Sequence, residues 1–429
     1  MTGTTTPAPL EHAAGWTAVA RCVRQHSLFW LVAANTVGVL LALDLLWPDV
    51  GDQLAPFTYG RWIPLHLNWQ LYGWCSLPLV GVLMRWIGNG PNSIGSRLYR
   101  IAIWAWTFAL AAGGISWLAG MTSGKIFLDW HGWARPLLST AMALLWLALA
   151  QQFWTQRHAL KPTQRVFQAL LLLALFFVSP AIFWASGREV YPSVNPDSGG
   201  ATGASLLAST LGITAIYGLL PIMLRHPSRS TTSIARRVFW SGLAVSSIAC
   251  LLIDHGHASH HSIGQILGLG LLLGWVPLAW HYFRGFSWTS TAQRWLAAAF
   301  AWWVILVISG FLFFLPGISE RLKFTNTLVA HAHLALAGLV TCFNGAILNL
   351  LNPGQPITRG FRLWQFALAL HIAALVCVGW TESRDPGALF LSQGWTQALY
   401  GLRLAAGIVM WALSAVWFLN RPQASASND

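Results

Sequence analysis

The stretch TLVAHAHLALAGLVTCFNGAILNL, Thr327 to Leu350, runs 24 residues without a single Asp, Glu, Lys or Arg. As a helix it would be about 36 Å long, more than the ~30 Å hydrocarbon core of a bilayer. Working outward from it, eleven further apolar runs lie at roughly 27–47, 64–84, 101–121, 136–154, 165–185, 203–224, 237–253, 263–281, 295–316, 363–380 and 397–419. The whole chain of 429 residues is 55% hydrophobic and only 9% charged, against about 25% charged in a soluble domain. That excludes a disordered chain, a coiled coil and a soluble enzyme with a membrane tail. Runs of this length suit helices, whereas membrane strands would alternate apolar and polar residues over about ten positions. The expected fold class is therefore all-α: a polytopic membrane protein of twelve transmembrane helices. Its expected divisions are a cytoplasmic tail at 1–26, one membrane domain at 27–420 and a second cytoplasmic tail at 421–429.

A net charge of +13 could signal a nucleic-acid partner, but its distribution argues against one. With the N-terminus placed in the cytoplasm, 17 of the 25 basic residues fall on the inner side, joined by only Glu11 and Asp429 among the acids. The inner side then carries +15 and the outer side −2, which together make the +13 of the whole chain. This is the positive-inside pattern, with both termini cytoplasmic and no nucleic acid implied. The five cysteines form no CxxC or CxxCH pair and no obvious disulfide framework. No signal-peptide core precedes Ser27, so the first run is expected to stay as a helix. Most of the 27 tryptophans suit interface belts and core filling.

Ionisable groups inside a bilayer are costly and mark function by default, and here they are mainly histidines. His66 opens the second run, and His331 and His333 open the tenth. By the topology above all three share one depth near the outer face. Residues i and i+2 point about 200° apart on a helix, so His331 and His333 cannot hold one metal together, yet each can hold a group on its own side of the helix. Two planar haems flanking one helix need that arrangement. If His66 and His333 share one iron, it is six-coordinate and suits electron transfer, while His331 leaves one face of a second haem open. Three core histidines bonded to backbone or hydroxyl groups would satisfy the same spacing.

A second cluster, DHGHASHH from Asp254 to His261, brings His255, His257, His260 and His261 into seven residues, a dense donor set for copper or zinc. A pH-sensitive exposed loop fits the same residues. His281 and His371 stand alone in their runs and read as structural. No Asp, Glu or Lys lies in the inner half of any run, which argues against proton pumping fed from the cytoplasm.

Four motifs carry a family resemblance: PFTYGRWIPLHLNWQ (Pro56–Gln70), GMTSGKIFLDW (Gly120–Trp130), HAHLALAG (His331–Gly338), and Arg403 at the opening of the last run. In order and along nearly all twelve runs, the chain resembles subunit I of the haem-copper oxidase superfamily. It is most like the C-type (cbb-type) oxidases, with nitric oxide reductases as relatives. The resemblance implies a subunit I-like helical bundle, His66 and His333 as axial ligands of a low-spin haem b, and His331 as proximal ligand of a high-spin haem. It also implies that Arg61 and Lys125 anchor haem carboxylates, although either could equally be a solvated loop charge.

The departures from the family fall at copper. The family's copper histidine in the sixth run is matched by Ala201, and its His-His pair ending the seventh by Leu252 and Ile253, with His255 matching a later histidine. The seventh run has no tyrosine to serve as a redox-active phenol, and Ser309 stands near an expected acid. Cleaving O–O without releasing partly reduced oxygen takes several electrons delivered together, which a haem alone does not supply. The expectation is a membrane b-type cytochrome in a bacterial inner membrane respiratory chain. It would take electrons from a periplasmic cytochrome c or another cytochrome subunit, within a multi-subunit complex in membrane lipid, without copper-dependent oxygen reduction. The alternatives are a terminal oxidase or nitric oxide reductase with a metal site rebuilt from His255–His261, and a haem-based gas sensor or oxidase-assembly subunit. A transporter is weakly supported, since no repeated halves are evident.

Overall fold

A computed structural model describes residues 9–88, 93–224, 232–384 and 394–420. Among them the secondary structure is helical, with a lone antiparallel bridge between Val194 and Ala201. Eleven helices are long and apolar enough to cross a membrane. That is one fewer than expected: the second run is broken into α2 (Tyr59–Asn68), a π-helical turn (Trp69–Cys75) and α3 (Leu77–Gly88), with a break at Ser76. Pro64 inside α2 and Pro78 at the start of α3 lack the N–H that a continuous α-helical ladder would use.

The chain divides into two compact units. The first comprises 1–190, 347–359 and 411–429. It is built on α1 (Pro9–Leu46), α2 and α3, followed by α4 (Ser93–Leu118), α5 (Arg135–Gln156), α6 (Pro162–Phe176) and α7 (Val178–Ala185). α1 packs along α2, the π-turn, α3 and α4, and α4 packs on α5. Within the segment 1–26 expected as a cytoplasmic tail, α1 already begins at Pro9. Val19, Ala20 and Val23 are buried, and Arg24 reaches Gln355 Oε1 at 3.2 Å and the Trp417 carbonyl at 3.3 Å. Packing therefore extends the helix well below the apolar run. The tail expected at 421–429 lies outside the described residues.

The second unit comprises 191–346 and 360–410. Its helices are α8 (Gly203–Met223), α9 (Thr232–Leu252), α10 (Ile263–Gly270), α11 (Trp275–Arg284), α12 (Ser290–Leu312), α13 (Asn326–His333), α14 (Thr341–Leu351) and α15 (Phe361–Arg384), together with most of α16 (Gly394–Leu419); α14 and α16 run on into the first unit. Threonine caps begin three of them: Thr202 accepts from Ser205 N, Thr289 from Ala292 N and Thr325 from Thr327 N. Each satisfies a backbone donor that the first turn leaves without a helical partner. α13 packs on α15, and the π-turn that follows it (Leu334–Val340) packs on α12.

Burial separates the helices sharply. In the span Asn326–Leu351, 72% of the most apolar window is buried, against 11% in Pro162–Ala185 and 17% in Ser233–Leu252. The latter two present apolar side chains outward, such as Leu173, Phe177 and Leu251, as lipid or a neighbouring helix would require.

Candidate functional site

The two π-turns are the only ones among the described helices, and each begins three residues after a histidine: Trp69 after His66, Leu334 after His331. Each also carries a glycine at its fifth position against a tryptophan of a neighbouring helix. A Cβ on Gly73 would clash with Trp30, and one on Gly338 would lie 3.0 Å from Trp302. Single π-turns occur mostly at functional sites, because the extra residue re-aims the side chains around it.

His66 donates from Nδ1 to the Ala34 carbonyl of α1 at 2.8 Å. A carbonyl only accepts, so Nδ1 holds the proton and the neutral ring carries its lone pair on Nε2. His333 is fixed in the same way, with Nδ1 2.8 Å from the Val329 carbonyl one turn earlier. His331 Nδ1 lies 3.0 Å from Ser309 Oγ, which also stands 3.1 Å from the Leu306 carbonyl, so the hydroxyl orients the ring. His66 and His333 thus have the tautomer that a ring ligating iron through Nε2 requires, and His331 is held by its Nδ1 side.

The two histidines of α13 face different neighbours. His331 meets Ser309, Gly310 and Phe313 around the end of α12, and His333 meets the His371 ring of α15 at 4.7 Å between centroids. Glycines allow the close approaches: a Cβ on Gly310 would stand 3.0 Å from His331 Cε1, and one on Gly38 would stand 2.7 Å from His66 Cε1. His371, read from sequence as structural, sends Nδ1 to the Arg403 carbonyl at 3.2 Å.

Arg61 and Lys125 are both held by backbone carbonyls of the first unit. Arg61 donates to Leu118 O at 2.8 Å and lies over Gly120. Lys125 Nζ donates to the carbonyls of Ala185 (2.7 Å), Gly187 and Val190, so it closes the segment after α7 onto the 119–131 loop. Partial burial holds its ammonium below the usual lysine value. That loop is knitted by Asp129, whose Oδ1 accepts from the backbone of Ser123 and Gly124. Its turns take positive φ at Gly120 and Gly124 and, unusually for a side-chain-bearing residue, at Phe127.

The four-histidine cluster is divided by the fold. His255 Nε2 donates to Cys250 O at 2.8 Å, and His257 Nδ1 sits 3.1 Å from both N and O of Val194. His260 and His261 instead gather with Asp197, their ligand atoms all within 4.8 Å of one another. Glu320 joins them from the loop after α12, its Oε1 lying 2.7 Å from His260 Nε2 and 3.3 Å from His261 Nε2. Backbone N–H groups, its own foremost, and then His260 hold the Glu320 carboxyl down at about 2. Asp197 and Glu320 were not legible as partners, standing about 60 residues from the histidines on either side with no local pattern to mark them. Among the positions matched to the family's copper ligands, Ala201 forms the isolated bridge, Leu252 is exposed and Ile253 packs on Gly268.

The eleven membrane-length helices define a helical integral membrane protein, with His66, His331 and His333 each held through Nδ1. No family model matches the chain. It is 23% identical over 423 residues to a Cbb3-type cytochrome c oxidase subunit CcoN1 of Stutzerimonas stutzeri, covering 87% of each chain. A Cytochrome c oxidase subunit 1 homolog of Agrobacterium tumefaciens is 26% identical over 125 residues, 28% of this chain and 23% of that protein. A cryo-electron microscopy structure of a haem-copper terminal oxidase dimer overlays with a TM-score of 0.47 at 12% identity, covering 94% of this chain and 83% of that one. Along most of its length the chain is a relative of haem-copper oxidase subunit I.

Proposed function

We propose that the protein is a membrane b-type cytochrome on the oxidase subunit I scaffold, in which His66 and His333 ligate a low-spin haem b and His331 a high-spin one. The observation that carries this reading is that all three rings are anchored through Nδ1: His66 and His333 each direct Nδ1–H to a backbone carbonyl and keep the lone pair on Nε2, and His331 Nδ1 lies against Ser309 Oγ. The glycines at 38 and 310 add room where side chains would crowd the rings. Haem bound there supplies one-electron transfer and, where one axial face is open, binding of a small diatomic gas. The protein's part is to orient each imidazole and keep the site dry.

The absence of histidine at 201, 252 and 253 and of tyrosine in α9 supports a site without copper-dependent oxygen reduction. The charge distribution supports cytoplasmic termini in a bacterial inner membrane. The relatives' names support a periplasmic cytochrome c or another cytochrome subunit as electron donor, within a multi-subunit complex. A terminal oxidase or nitric oxide reductase with a rearranged metal site is the second reading, favoured by the convergence of His260 and His261 with Asp197.

The deciding experiment is a carbon monoxide difference spectrum of dithionite-reduced purified protein, with haem and copper quantified on the same sample. Two haems per chain, carbon monoxide binding and no copper are expected. Stoichiometric copper would establish the second reading, and a haem-free protein would overturn both.

A further inference from the structure

We infer that Asp197, His260, His261 and Glu320 form a zinc-type divalent cation site that staples three connecting loops of the second unit, independently of any haem. Asp197 comes from the loop before α8, the histidines from the loop between α9 and α10, and Glu320 from the loop between α12 and α13. Two imidazoles and two carboxylates make a donor set that suits Zn²⁺.

The site is built from a buried anchor outward. The His260 side chain is fully buried, while His261 (56% exposed) and Glu320 (38% exposed) leave an entry path. The two rings lie 4.4 Å apart at 39°. Glu320 Oε1 lies between their Nε2 atoms, with Oε2 held by Gly317 N at 2.6 Å. Ser259 ties Asp197 to the histidine turn by donating to Asp197 Oδ2 and accepting from His261 N.

Asn195, also buried, lies behind His260. Its Nδ2 is 2.9 Å and its Oδ1 3.4 Å from His260 Nδ1, and Oδ1 also accepts from Asp197 N. Without a cation, Asn195 Nδ2 donates into Nδ1 and His260 Nε2–H donates to Glu320. With Zn²⁺, the proton sits on Nδ1 and faces Asn195 Oδ1, and the lone pair on Nε2 goes to the metal. One amide can thus serve both protonation patterns of the ring. His255 and His257 take no part, because backbone groups already hold them.

The test uses the full-length protein in detergent, stripped with chelator and dialysed against Zn²⁺. Wild type is expected to bind one Zn²⁺ per chain, with a raised thermal unfolding midpoint. His261→Gln and Asp197→Asn, both at exposed positions, are expected to weaken binding by about tenfold or more and to abolish the midpoint shift. His257→Gln is expected to change neither. Failure of wild type to bind Zn²⁺, or undiminished binding in His261→Gln and Asp197→Asn, would overturn the site. Equal weakening by His257→Gln would overturn the assignment of ligands. Haem content is measured alongside, so that a failed zinc site and a failed haem reading are told apart.

Discussion

Ser309 Oγ of α12 lies 3.0 Å from His331 Nδ1 of α13, placed there by a serine-to-backbone bond within its own helix. A neutral hydroxyl orients this imidazole from the position where the family resemblance leads one to expect an acid. An acid would strengthen the ring's electron donation to a bound iron, whereas a serine fixes its direction alone.

Ser309→Ala is therefore expected to lower occupancy of the carbon monoxide-binding haem, with affinity weakened about 10–100-fold, and to leave the low-spin signal intact. Haem quantification with the difference spectrum reads both. Equal loss of both signals would assign Ser309 a packing role instead.

His66→Ala is expected to abolish the six-coordinate low-spin spectrum while the carbon monoxide-binding haem persists. An unchanged spectrum would mean that His66 is not an axial ligand.

Gly38→Ala places a methyl 2.7 Å from His66 Cε1. Overpacking of this kind costs about 1–3 kcal/mol, and the low-spin band is expected to weaken with it. Gly212→Ala is the control, since nothing lies within 4 Å of its Cβ position. A helical glycine replaced by alanine there should stabilise by roughly 0.5–1 kcal/mol. Thermal unfolding followed with the absorption spectrum compares the two.

Lys125→Met removes the ammonium that gathers the carbonyls of Ala185, Gly187 and Val190. Hydrogen bonds to charged groups contribute about 1.5–3 kcal/mol each. Half-exposure here discounts the sum to roughly 2 kcal/mol, read as a lower unfolding midpoint with haem content unchanged. Loss of haem at an unchanged midpoint would instead assign Lys125 to a haem carboxylate.

The sequence by itself determined the solvent and the class. Charge-free runs such as 327–350 leave the backbone no partner in lipid except its own helix. The i, i+2 spacing of His331 and His333 already sends them to opposite sides of α13, because helical geometry is local. The motif GMTSGKIFLDW was legible only as part of the family resemblance; the structure shows its turns at Gly120 and Gly124 and its closure by Asp129.

Tertiary structure alone decided the rest. The run 64–84 reads as one span, yet it carries a π-turn and a break at Ser76, and Gly73 of that turn lies against Trp30 of another helix. The segment 9–26 lies before the first apolar run, yet it is helical and packed, with Val19 and Val23 in a core and Arg24 on Gln355 and the Trp417 carbonyl. The tautomer of His66 and the orientation of the His331 ring depend on Ala34 and Ser309, more than twenty residues away in sequence. The histidine cluster looked like four equivalent donors, but backbone groups claim His255 and His257 while Asp197 and Glu320, about 60 residues away on either side, claim His260 and His261. Local periodicity records which face a side chain occupies; only the folded chain supplies the partner that fixes its proton and its ligand.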